Sequence, residues 1–431
     1  MSSKSTATRS RSRRLIVAQY YDFHIESSRL LGKIRPRWAR TEERSGPVGV
    51  YTVPLFGYPL AVCKTRIYRL KRVRFLDGLR GWGALVVVLY HVFCNGFPEN
   101  DFFRNYLWRF VPMNGPFAVM VFFVVSGFAL SIGFIQSRDF RQLGTIAATR
   151  YFRLALPILL ACAVVHLAQV TGVLQVPAER FPPWGNIVAF PASLEHLSRF
   201  SFYDVFFNYS LSETYIGPLW TMSFELVGSF VAIAAILFAT LIRLRLLFLA
   251  VVAAYFLAVG SMNFLFVAGV IVALLYQSGR LNGIPSSVGL GGLGATTVYL
   301  LAFQWSEGRL DMVASIIFIL GCMIVYQARD FLSNRLSRHL GTISFPLYLM
   351  HGPVMLIFGA PMMGQFGDTV VSRSVIQVLM VTVSFLAAYA FVPVNNAVIS
   401  CLRKVSSPLI ATPAVGVGWL DRRRERLSGR P

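Results

Sequence analysis

The chain has 431 residues, 55% hydrophobic and 14% charged, with 36 phenylalanines and a formal net charge of +22. A soluble protein carries about a quarter charged residues, so this composition excludes a soluble globular enzyme and points to many membrane-spanning helices. The five cysteines, Cys63, Cys94, Cys162, Cys322 and Cys401, include no C-x-x-C pair, which leaves no basis for a disulfide framework or a zinc site.

Residues 1–74 hold seventeen Lys and Arg. They lack the apolar core and cleavage site of a secretory signal, and no nucleic-acid-binding fold accompanies them. Basic residues beside a membrane helix are drawn to anionic lipid headgroups, so the segment reads as a basic, disordered cytoplasmic leader. Within it, "VGVYTVPLFGYPLAVC" (48–63) is apolar but short and broken by Gly49, Pro54, Gly57 and Pro59, which suits an interfacial position better than a crossing.

A spanning helix needs about 20 mostly apolar residues. That length places ten candidates, at 75–96, 117–135, 151–171, 216–241, 244–260, 262–277, 286–304, 312–328, 342–359 and 375–400. The expectation is an all-α polytopic bundle over 75–400, with both termini cytoplasmic and a basic tail at 401–431. Basic residues favour cytoplasmic loops, and the loops assigned there carry Arg138, Arg141, Arg150, Arg153, Arg243, Arg245, Arg280, Arg329, Arg335 and Arg338 against Asp139 and Asp330. The opposite loops are dominated by Glu99, Asp101, Glu179, Glu195, Asp204, Glu213, Glu307, Asp311 and Asp368.

The first candidate, "FLDGLRGWGALVVVLYHVF", carries Asp77, Arg80 and His91 inside an apolar run. An ionisable residue within a span costs about 3 kcal/mol on insertion scales and normally faces a protein interior or a wet cavity. Arg80 and His91 are eleven residues apart, so at about 100° per residue they share a face about 16 Å apart along the axis. Asp77, one turn before Arg80, is placed to pair with it. The imidazole of His91 has no ionic neighbour in the surrounding "ALVVVLYHVF" and titrates near neutral pH, which suits proton transfer. The plainer alternative is a snorkelling Asp77–Arg80 pair and a satisfied interior histidine.

Arg150 and Arg153 share a face at the expected cytoplasmic mouth of the third span, ahead of Pro157. Two guanidinium groups at a helix start gain from an arriving phosphate, although ordinary flanking of a span by arginines is the simpler account. Glu225 lies nine residues into the fourth span, about 13 Å down, at a depth His91 reaches from the other side. It is placed to orient the imidazole or to meet a substrate hydroxyl, with a structural pairing as the alternative. Trp220 and Ser223 belong to the same segment, where packing is the plainer role. His351 falls midway along the ninth span beside Gly352 and Pro353; the proline frees a backbone carbonyl and kinks the helix. No acidic or thiol ligands accompany the two histidines at metal spacing, so no metal is expected.

The Arg and His separated by ten residues in "LDGLRGWGALVVVLYH" resemble the signature of the acyltransferase-3 family of integral membrane acyltransferases. Four further blocks occur in the family's order: "FFVVSGFALS" from Phe122, containing Ser126; "RYFRLALP" from Arg150; "GPLWTMSFEL" from Gly217; and "ISFPLYLMH" from Ile343, containing Tyr348 and His351. Phe345 departs from the pattern, since many relatives carry Tyr there, and residues 1–74 match nothing in it. Some relatives carry an extra esterase-like domain after the last helix, and none is expected here.

The resemblance implies an O-acyltransferase of a bacterial inner membrane. Acyl-coenzyme A, with acetyl as the expected acyl group, is the implied cytosolic co-substrate, and a hydroxyl of a carbohydrate or glycolipid on the far side is the implied acceptor. It casts His91 as general base, Glu225 as its orienting carboxylate, Arg80 (steadied by Asp77) as a grip on the donor's arm, and Arg150 and Arg153 as phosphate ligands. Ser126, Trp220, Ser223, Tyr348 and His351 would line the site. Transfer through an acyl-histidine remains an alternative route. A multi-pass transporter would echo its site in two halves, and residues 216–400 do not repeat the Arg-x10-His pattern. A receptor-like inactive relative would be expected to lose the charged residues. Acceptor identity, acyl length and oligomeric state are not written in the residues.

Overall fold

The computed structural model describes residues 51–55, 58–62, 73–97, 105–174, 187–303 and 308–411. The chain falls into two units, Met1–Ile67 and Tyr68–Pro431. In the first, strands β1 (Tyr51–Leu55) and β2 (Tyr58–Val62) pair antiparallel, Tyr51 opposite Val62 and Pro54 opposite Pro59. Proline cannot donate to a ladder, so the two face each other where no bond is lost from a longer sheet. The apolar stretch within the leader is thus a short hairpin. The rest of the basic leader up to position 72 (residues 1–50, 56–57 and 63–72) lies outside the described residues.

The second unit is helical. Its elements are α1 (Arg74–Leu89), continued by a π-helical turn (Tyr90–Gly96); α2 (Gly115–Ser137); α3 (Phe140–Val170); a short α4 (Leu194–Arg199); α5 (Thr221–Leu241), led in by a 3-10 turn (Gly217–Trp220); α6 (Arg245–Ala258); α7 (Asn263–Gln277); α8 (Ser286–Ala302); α9 (Gly308–Ile324); α10 (Tyr326–Ser333); α11 (Arg335–Val354), continued by a second π turn (Met355–Gly359) and α12 (Ala360–Phe366); and α13 (Val370–Ala411). Asn114 caps α2 by accepting from the Phe117 amide, and Asp139 caps α3 through the Arg141 amide, each satisfying a donor the first turn leaves open.

All ten predicted segments are helical, but not all are long enough to cross a bilayer. Among the described residues six runs are long and apolar enough to cross a bilayer: Arg74–Gly96, Gly115–Ser137, Phe140–Val170, Gly217–Leu241, Arg335–Phe366 and Val370–Ser406. A seventh forms if α9 and α10, bent by 88°, are one span. The helices α6, α7 and α8 are apolar but shorter; the 15 residues of α7 reach about 22 Å, against a hydrocarbon layer of about 30 Å. The last helix runs to Ala411, past the end expected at 400.

Bare glycines set how closely these helices approach. A Cβ on Gly127 of α2 would stand 2.1 Å from the Phe266 carbonyl of α7, and one on Gly269 of α7 would stand 2.2 Å from the Val124 carbonyl of α2. Small residues permit such backbone contact between membrane helices. The same device joins α1 to α11: a Cβ on Gly81 would meet the Gly341 nitrogen at 2.4 Å, and one on Gly341 the Asp77 backbone oxygen at 2.2 Å. Trp82 reinforces the pair by donating to the Ser337 hydroxyl at 2.9 Å. Gly341→Leu is therefore expected to cost about 1–3 kcal/mol of stability, read as a lower unfolding temperature in detergent. Gly144→Leu serves as the control, since a Cβ there meets nothing within 4 Å.

Candidate functional site

The glycine contact between α1 and α11 fixes the register in which the two helices run on side by side. Ten residues beyond Gly81 and Gly341 the rings of His91 and His351 meet, with centroids 5.1 Å apart and planes tilted by 36°. Each helix then leaves α geometry, α1 at Tyr90–Gly96 and α11 at Met355–Gly359. Single π turns of this kind are frequent at functional sites. His91 Nδ1 lies 2.9 Å from the Val87 carbonyl one turn back. A carbonyl only accepts, so the proton is placed on Nδ1 and Nε2 is left as the basic nitrogen.

His91 lines a cavity of about 310 Å³ together with Tyr90 and Asn95 of the π turn, Trp220 and Thr221 at the start of α5, and Tyr348 of α11. The Tyr348 hydroxyl donates to the Pro218 carbonyl and lies 2.7 Å from the Thr221 hydroxyl, which locks α11 to the entry of α5. Trp220 is 37% exposed at this wall. The Ser223 hydroxyl instead turns back to the Trp220 carbonyl at 3.0 Å, a local bond within its own turn. His351, fully buried, stands behind His91 rather than on the cavity wall.

One turn along α5 from Thr221 sits Glu225, and here the structure departs from the sequence expectation. Glu225 is paired with Arg150, the two side chains 13% and 12% exposed. Ser126 of α2 donates to Glu225 Oε1 at 2.6 Å, and Arg150 Nε donates to Ser229 at 2.9 Å. Glu225 therefore ties α2, α3 and α5 together, while His91 takes its orientation from its own helix. Arg150 is also not at a helix mouth: α3 begins at Phe140, so Arg150 lies about 15 Å along it, and its charge is already balanced. A buried carboxylate takes the nearest cation, and only the packing of α3 on α5 decides which cation that is.

Arg153, one turn further and exposed, has no such carboxylate among the described residues. It lies within electrostatic reach of Arg150, Arg80 and Arg403, so side chains from α1, α3 and α13 bring like charges together. Arg80 and Asp77 are half-buried in the first two turns of α1. Sequence reasoning misses Arg403, which falls in the presumed tail. A signal for it exists in the continuing helical run "AVISCLRKV", which keeps it on α13.

A second polar cluster is likewise missed. The Tyr215 hydroxyl lies between His196 Nδ1 at 3.2 Å and His166 Nδ1 at 3.3 Å. Burial holds the His196 imidazole below its ordinary range and pushes the Tyr215 phenol up. The cluster anchors the connection between α3 and α5, from which Ile187 and Leu211 reach the cavity wall.

Residues 73–392 match a family model described as an acyltransferase domain, that is, most of the chain and every helix from α1 to α12 with the greater part of α13. Neither a curated protein nor a solved structure matches the chain.

Proposed function

The chain belongs to the acyltransferase-3 family and is a membrane acyltransferase, and from that premise we propose that it carries an acyl group, acetyl first of all, from cytosolic acyl-coenzyme A to a hydroxyl across the membrane. The acceptor is a carbohydrate or glycolipid on the far side of a bacterial inner membrane. Both chain ends lie in the cytoplasm, and the short helices α6 to α8 complete a set of ten crossings by packing among longer neighbours.

The observation that supports this reading is a histidine on a cavity wall and an arginine cluster towards the two ends of one helix. The open nitrogen of His91 belongs to a residue on a cavity wall at one end of α1, and Arg80 joins Arg153 and Arg403 towards the other. The nucleotide phosphates of the donor sit among these arginines, whose planar donors match phosphate oxygens. The donor's arm runs along α1 and presents the thioester to the cavity. As the acceptor hydroxyl attacks, its proton moves to His91 Nε2, the new C–O bond forms, the C–S bond breaks, and the thiolate recovers the proton. General base catalysis of this kind contributes typically about 10²–10⁴-fold. Trp220 and Asn95, an aromatic face and an amide on the same wall, suit the apolar face and hydroxyls of a sugar ring.

Incubating membranes that contain the protein with labelled acetyl-coenzyme A and a panel of surface glycans tests the proposal, with label expected on a glycan hydroxyl. The arginine assignments separate by kinetics. Arg153→Ala is expected to raise the KM for the thioester about tenfold or more, the loss of one charge-assisted bond, with kcat little changed; Arg403→Ala moves KM in the same direction. An unchanged KM in both assigns them to membrane topology instead.

A further inference from the structure

His351 carries a nitrogen that nothing in the fold explains. The residue is fully buried. Its Nδ1 lies 3.3 Å from the Leu347 carbonyl one turn back, which places the proton on Nδ1 and leaves Nε2 a bare acceptor. Among the described residues that Nε2 has no hydrogen-bond partner. Most buried side-chain polar atoms in native cores are satisfied, and one left open against a ring on the cavity wall calls for a reason. A leucine or phenylalanine would fill the same space without the penalty of a buried lone pair.

The surroundings hold this ring in place from several directions. Gly352 comes so close to Ile216 that a Cβ there would meet the isoleucine Cγ2 at 2.5 Å. Tyr348, one turn earlier, is held by Pro218 and Thr221. On the open side the neighbour is His91, 5.1 Å away between ring centroids, with its own Nδ1 tied to Val87 in the same way. Two imidazoles of the same tautomer thus lie ring against ring, tilted by 36°, and the Nε2 of each makes no protein hydrogen bond among the described residues.

We infer that His351 is the proton partner of His91, an inference that rests on the transferase reading above. When the acceptor hydroxyl gives its proton to His91 Nε2 and its oxygen bonds the carbonyl carbon, the imidazolium so formed passes that proton to His351 Nε2. The proton returns through His91 to the sulfur as the C–S bond breaks. Ester and thiol leave, and both rings end neutral. The second ring gives the proton a seat away from the reacting atoms while the hydroxyl and thiolate exchange places at His91. His351 touches neither substrate and so acts as a positioning residue through His91.

His351→Phe keeps an aromatic ring against His91 without the nitrogen, and His351→Gln supplies a hydrogen-bond acceptor that cannot take up a proton. The expected result is a kcat lowered about tenfold or more in H351F, within the range that proton transfer contributes, with the KM for acetyl-coenzyme A unchanged. The solvent deuterium dependence of kcat should change from curved in the wild type to linear in H351F, and H351Q, whose amide cannot carry the proton, should be as slow as H351F. A wild-type kcat in folded H351F overturns the inference. Should H351F fail to accumulate in membranes, H351Q is assayed in its place, and a wild-type kcat there overturns it. His91→Ala is assayed alongside: transfer surviving there overturns the transferase reading itself, whereas loss there with no loss in H351F overturns the role of His351 alone.

Discussion

His91→Ala is expected to reduce acyl transfer from acetyl-coenzyme A by about 10²–10⁴-fold while leaving insertion into the membrane and the elution profile in detergent unchanged. The size is set by the placement of the ring. His91 lies on the cavity wall, and its Nδ1 is already occupied by the Val87 carbonyl, so a single nitrogen is open to the acceptor and, among the described residues, no other imidazole lines that wall. The structural loss is small, since the residue is only partly buried and removing it enlarges an existing cavity. Transfer assays across a glycan panel, normalised to protein in the membrane, measure the effect. Retention of transfer would remove His91 from the chemistry and with it the base that the proposed reaction requires.

Glu225→Ala is expected to act in the opposite way, on folding before chemistry. It leaves Arg150, 12% exposed, without its counter-charge among α2, α3 and α5, and breaking a buried ion pair from one side costs about 3–5 kcal/mol. Replacing both partners, Arg150→Met with Glu225→Leu, removes the stranded charge and should return most of that stability, because an apolar pair of similar volume is often neutral or better. Thermal unfolding in detergent of the two single variants and the double forms the test. Destabilisations that simply add would mean the two groups do not act as a pair. A double variant that folds and still transfers would further place the pair in the scaffold.

Several features are legible in the sequence alone because they depend on neighbours along the chain. An apolar run of about 20 residues satisfies its own backbone hydrogen bonds as a helix wherever it sits in a membrane, so all ten helical segments can be read. The period of the helix alone also sets an expectation that Arg80 and His91 share a face, and the structure places His91 in the π turn that follows α1. The ordered blocks identify the family without reference to coordinates, and the match over residues 73–392 agrees with them. The hairpin at 51–62 is less legible, because two prolines and a glycine exclude a helix without naming what replaces it.

Everything that joins two helices is decided by tertiary structure. Glu225 meets Arg150, 75 residues away, and Ser126, 99 residues away; the sequence offers His91 as an equally plausible partner for that carboxylate. His91 meets His351 because Gly81 and Gly341 let α1 and α11 touch backbone to backbone and hold that register for ten residues. Arg403 joins Arg80 and Arg153 only because α13 continues beyond its apolar stretch and packs on α3. The physical reason is that helical periodicity is set by hydrogen bonds four residues apart, whereas the distance and rotation between two helices are set by how side chains and glycines interlock. One chain's pattern of residue types leaves many such interlockings open until they are packed together.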